Sequence, residues 1–131
     1  MKAWIGAVAL IGLMLNGEAM AISNQDTGDG NQLLKDCKTN IRLMNGSHFQ
    51  QSDDGIGVGS CVGLVEGVMK TMAYLNTALE KDLRVCWPDN ITNGQGIRIV
   101  VKYLEEHPKD LHKDRTLLAM FAFSQAYRCK V

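Results

Sequence analysis

Four cysteines, Cys37, Cys61, Cys86 and Cys129, stand 24, 25 and 43 residues apart in a chain of 131, and that spacing limits the fold more than any other feature. Structural zinc sites call for close pairs of the CxxC kind. These wide gaps point instead to two disulfides, which persist only in an oxidising compartment. The first 21 residues supply the route there. Met1-Lys2 carries one positive charge, Ala3 to Leu15 is an apolar run, and Ala19-Met20-Ala21 is a small-x-small cleavage site. This is the pattern of a secretory signal peptide cleaved after Ala21. A membrane anchor needs about 20 apolar residues, whereas Asn16, Gly17 and Glu18 interrupt this run after 13. No later segment reads as long and apolar enough to cross a bilayer. The domain is expected over residues 22–131; at about 110 residues it is small enough for covalent staples to matter.

Apolar periodicity places four helices on the chain and no strands. Asp29 or Asn31 can cap a first helix carrying Leu33, Leu34, Cys37, Ile41 and Met44, and Asn45-Gly46 ends it. Residues 47–57, SHFQQSDDGIG, have neither period and read as an exposed loop, longer than most helix connections. A second helix is expected from Val58 or Ser60 to Lys81. Its Gly59, Gly63 and Gly67 recur every four residues, a ladder best explained by close approach of another helix. Thr92 and Gln95 have capping-box spacing and open a third helix, whose apolar face is Ile97, Val100, Val101 and Leu104. Pro108 ends it and is placed to open the fourth, which carries Leu111, Leu117, Leu118, Phe121, Ala122 and Ala126. The expected fold class is all-α, a small four-helix domain of two helical hairpins.

Geometry narrows the cysteine pairing. Cys61 opens the second helix and Cys86 lies beyond its end, about 30 Å away at about 1.5 Å per residue, too far for a bridge whose Cα atoms must approach within about 7 Å. If the first two helices form an antiparallel hairpin, Cys37 also lies at the wrong end for Cys86. Cys37–Cys61 and Cys86–Cys129 remain, the latter symmetric about His107-Pro108 with 21 residues on either side.

The chain offers no catalytic constellation. His48, His107 and His112 make no HExxH-like pair, bridged cysteines are not nucleophiles, and no GxSxG motif occurs. GIGVGS lacks the preceding strand and following lysine of a phosphate loop. Methionines 44, 69, 72 and 120 read as core filler. Fourteen basic residues balance fourteen acidic ones without a basic stripe, which argues against nucleic acid as a partner. No metal, no cofactor and no enzymatic activity are expected; a stapled, secreted, helical binding protein is.

GNQLLKDC, CVGLVEGV, CWPDNITNGQGIRIVVKYLEEHPKDLH and the terminal AYRC together resemble the Rap/Tai family of type VI secretion amidase immunity proteins, over Gly30 to Cys129. The most specific part is C-x-P…T-x-G-Q…V-V-x-Y-L-x-x-H-P-x-x-L-H, matched by Cys86, Pro88, Thr92, Gly94, Gln95, Val100, Val101, Tyr103, Leu104, His107, Pro108, Leu111 and His112. The chain departs from the family pattern at Leu64, Lys70 and Tyr127-Arg128. The resemblance implies a periplasmic all-α protein, often a homodimer, that binds a secreted peptidoglycan amidase and blocks its active site. The alternative is a periplasmic stress chaperone or housekeeping adaptor without a toxin partner. Filling an enzyme cleft takes something that protrudes, and two segments qualify. The 47–57 loop offers His48, Phe49, Asp53 and Asp54; the turn after the third helix offers Glu105, Glu106 and Lys109.

Overall fold

A computed structural model describes residues 28–130. The signal peptide read over residues 1–21 falls outside the described residues. Four helices carry the fold: α1 (Gly30–Met44), α2 (Gly55–Leu75), α3 (Asn93–Glu106) and α4 (Arg115–Ala126), with 3-10 turns at Lys81–Leu83 and Pro108–Asp110. Among the described residues there is no strand, only isolated bridges joining Asp29 to Asp114 and Val85 to Arg128. Both disulfides form as spaced, Cys37–Cys61 and Cys86–Cys129. The all-α, doubly stapled expectation therefore holds.

Side-chain caps set the helix starts. Asp29 accepts from the Gln32 N–H at 3.1 Å. At α3 the capping box closes in both directions: Gln95 N–H donates to Thr92 Oγ1 at 3.2 Å, and Thr92 N–H donates to Gln95 Oε1 at 2.8 Å. Two boundaries differ from the sequence reading. Asp54 caps α2 by accepting from Ile56 N–H, so the helix begins at Gly55 and takes three residues from the expected loop; it ends at Leu75, short of Lys81. Pro108 opens only a 3-10 turn, and Asp114, accepting from Thr116 and Leu117, starts α4 at Arg115.

The paths of the helices follow from their contacts. The α1 residues Asp36 and Cys37 meet Gly57 and Cys61 of α2. Further along both, Met44 packs on Gly94 while Asn93 bonds Glu66. Helices α1 and α2 thus run in the same sense rather than as an antiparallel pair, and residues 45–54 carry the chain back along α1. Helix α3 runs the other way, with Gly96 pressed on Val65 and Met69, and α4 returns beside it. Leu33, Cys37, Cys61, Val65, Met72, Ile97, Val100, Leu104, Leu118 and Phe123 are buried between the four. Beyond α2, the Asn76 carboxamide grips Val85 through both its N–H and its carbonyl, at 2.9 and 3.0 Å. That grip turns the chain towards Cys86.

One expectation about α2 needs correction. By length and apolarity this 21-residue helix could span a bilayer, with a mean hydropathy of 1.3 over its most apolar window. In the fold it packs on α1, α3 and α4, burying Cys61, Val65, Val68, Met69 and Met72, while 33 % of that window is buried in all. Among the described residues no other helix closes on the glycine ladder: a Cβ on Gly59, Gly63 or Gly67 would meet nothing within 4 Å. Glycines that do permit close approach are Gly30, against Leu118 and the Leu111 backbone, Gly57, against the Asp36 carboxyl, and Gly96, against Met69.

Alanine substitutions separate these roles. Gly63→Ala and Gly67→Ala should raise the stability of the isolated chain by up to about 1 kcal/mol each, because they add helix propensity in open space. Gly57→Ala should lower it by about 1–3 kcal/mol through overpacking. Urea titration checks both signs.

Candidate functional site

The expected loop is built rather than slack. From α1, Arg42 donates to the His48 carbonyl at 3.2 Å and to the Asp53 carboxylate. Asp53 closes the loop on itself, accepting from Gln50 N–H at 2.7 Å, while Asp53 N–H donates to the Gln50 carbonyl at 2.9 Å. The Gln50 N–H and then the Arg42 guanidinium hold the Asp53 carboxyl below its ordinary value of 3.8. A depressed acid contributes its stabilisation above the unfolded value and loses it as pH falls through the lower folded value. The closure therefore persists across the whole near-neutral range.

Asp53 and Asp54, expected as partner contacts, are thus occupied in holding the loop and capping α2. Beside exposed Ser47, His48, Gln50, Gln51 and Ser52, the loop and the first turn of α2 present two large apolar side chains. Phe49 is 57 % exposed and Ile56 is 86 % exposed, and they flank Gly55, where a Cβ would stand 3.6 Å from Phe49 Cζ. His48 is exposed beside them. Ile56 was missed from sequence because it fell inside a stretch read as irregular; only the Asp54 cap, placing it in the first turn of α2 with its side chain in water, marks it out.

The second expected segment is split by the structure. Glu105 pairs with Lys38 of α1 at 2.9 Å. Lys38 and Arg42 lie one turn apart on the same face of α1, so the loop and Glu105 border one surface. Glu106 lies elsewhere: it pairs with Lys102 at 3.8 Å and lines a cleft of about 360 Å³ with Tyr103 and Tyr127. Lys109 is exposed in the 3-10 turn. His107 is structural, its Nδ1 2.7 Å from the Tyr103 carbonyl and its ring stacked on Tyr103 at 4.0 Å.

A different surface surrounds the open glycines. Gly63 and Gly67 floor a groove of about 400 Å³ between α2 and α4, walled by Leu64, Leu75, Leu79 and Met120. Tyr74, 86 % exposed, extends the same helix. No group of three or more His, Cys, Asp or Glu poised for a metal occurs among the described residues.

Arg42 serves two acceptors from a planar fork, which a lysine cannot reproduce. Arg42→Lys should therefore speed amide exchange at residues 48–53 several-fold while leaving the core amides of α3 unchanged, as read by hydrogen exchange with NMR.

A search of curated proteins and a search of solved structures each return no match. A family model described as Rap1a immunity proteins matches residues 29–129, which takes in all four helices and both disulfides. The resemblance carried by the cysteine, capping-box and His-Pro motifs is thereby confirmed: the chain belongs to the Rap1a immunity protein family.

Proposed function

We propose that this chain is a periplasmic immunity protein of a type VI secretion system, and that it binds a secreted peptidoglycan amidase and occludes its active site without catalysing any reaction itself. The carrying observation is the pinned loop on the α1 face, in a member of an immunity protein family. A segment already fixed by Arg42 and Asp53 loses little conformational entropy on binding. It holds Phe49 and Ile56 in water, where burial by a partner is favourable. Glu105 and Lys38 supply a charged rim on the same side. The periplasmic location rests on the signal peptide read at residues 1–21.

The same reading includes a homodimer. Its support is the apolar groove over Gly63 and Gly67, continuous with Leu75 and open along α2. Small residues on an exposed helix let a second backbone approach closely, and a two-fold contact of like surfaces is the commonest way to cover one. This assigns opposite duties to two parts of α2: its first turn faces the effector, and its middle faces the second copy.

Calorimetry against a peptidoglycan amidase encoded beside this chain's gene tests the effector contact. Phe49→Ala with Ile56→Ala should weaken binding by at least about 2 kcal/mol, roughly thirtyfold in Kd, with the melting temperature kept. Glu105→Lys should cost more affinity than Glu106→Lys, since Glu106 faces away from the loop. Unchanged affinity in the double variant would place the effector elsewhere. Light scattering tests the dimer: Gly67→Leu should convert dimer to monomer without unfolding it, and a wild-type monomer at micromolar concentration would contradict the dimer.

A further inference from the structure

Asp36 is the one acidic residue in the buried interior among the described residues, 4 % exposed in the middle of α1. Its Oδ1 accepts from Gln32 Nε2 at 2.9 Å. The carboxyl lies in the notch left by Gly57, and a Cβ there would collide with Asp36 Oδ1 and stand 3.1 Å from Asp54 Oδ2. Two carboxyl groups from different elements therefore border one point. One is buried; the other caps α2 with its Oδ1 and ends the effector-facing loop.

The surroundings tilt the balance. Burial, and then the charge of Asp54, disfavour the ionised form of Asp36; the Gln32 hydrogen bond and the charges of Lys35 on α1 and Arg115 on α4 favour it, and the outcome is a carboxyl raised above its ordinary value of 3.8. An acid raised in the folded state contributes stability that is complete below the unfolded value and is lost as pH rises through the folded value. Protonating Asp36 therefore adds to stability, opposite to the usual effect of protonating a paired carboxylate.

We propose that Asp36 is a proton-operated latch between α1 and the start of α2. With a proton taken from solvent, its O–H donates towards Asp54 Oδ2 while Asp54 Oδ1 keeps the cap on Ile56, so the loop end is tied to α1. Ionised, the two carboxylates repel and the tie slackens. A protein in the periplasm meets the external pH, and a latch of this kind stiffens the Phe49–Ile56 segment as the medium acidifies. The latch belongs to the chain alone, so its test stands or falls apart from any effector.

The test compares thermal melts of the disulfide-bonded wild type, Asp36→Asn and Asp54→Asn from about pH 7 to about pH 4. Asparagine at position 36 mimics the protonated acid, and asparagine at 54 keeps the cap while removing the charge. Asp36→Asn should melt several degrees above wild type at neutral pH, and the gap should close as pH falls. Asp54→Asn should show a gap of the same sign but smaller. A gap that does not change with pH, or an Asp36→Asn variant that melts below wild type at neutral pH, overturns the proposal. Should that variant fail to fold, the carboxyl carbon-13 titration of wild-type Asp36 decides: a midpoint above the ordinary aspartate value supports the latch, and one at or below it overturns it. Amide exchange at Gln50 and Ile56, corrected for intrinsic pH dependence, should slow in step with that titration; exchange indifferent to it also overturns the latch.

Discussion

The buried Cys37–Cys61 bridge is the constraint on which the arrangement rests. It fixes the middle of α1 to the second turn of α2 at a Cα separation of 5.2 Å, and both cysteines are fully buried. Because the two helices leave that point in the same direction, the chain cannot join them by a tight turn. It must come back from Asn45 to Asp54 along the outside of α1. Ten extended residues reach about 33 Å, ample for the return. The loop is thus a consequence of topology, and the same topology places it on the surface. A bridge closing 24 residues contributes about 3–4 kcal/mol in the chain-entropy account, a large share of the ~5–15 kcal/mol typical of a domain.

Once the return path exists, its backbone groups need partners, and charged side chains supply them. Arg42 and Asp53 hold its middle, Asp54 turns its end into a helix cap, and Asn45 at its start accepts from Arg98 of α3 at 2.7 Å. Asp53 and Asp54 are taken up by the scaffold, and two large apolar side chains, Phe49 and Ile56, face water beside the exposed polar residues at 47, 48 and 50–52. Mobility would waste such a display; anchoring at three points preserves it.

Local signals were legible in the sequence wherever the determinant was itself local. Thr92 and Gln95 predicted the start of α3 because a capping box involves only neighbouring residues, and the Gly46 stop of α1 is of the same kind. Distance excluded Cys61–Cys86, but excluding Cys37–Cys86 assumed an antiparallel first pair of helices that the fold does not have. Cys37 and Cys61 meet where the two helices cross near the start of α2, and this holds for either direction. The glycine ladder shows the limit of periodicity, which reveals a face but not what covers it: among the described residues nothing does. Ile56 and Asp36 could not be singled out, because one needs the helix start displaced by an aspartate cap and the other needs a neighbour 21 residues away, Gly57. The motif resemblance named the family correctly, and its motifs fall largely on capping, turning and packing residues rather than on the presented surface.

The division of the surface into an effector face and a self-association face is the central claim, and hydrogen exchange read by mass spectrometry tests it most directly. The chain is measured alone at high and low concentration, and then with a peptidoglycan amidase encoded beside its gene. Adding the amidase should slow exchange at residues 47–56 and around Glu105, while concentration alone should slow it at the middle of α2 around Gly63 and Gly67. Amidase-dependent protection centred on Gly63 and Gly67, with residues 47–56 unchanged, would contradict the account.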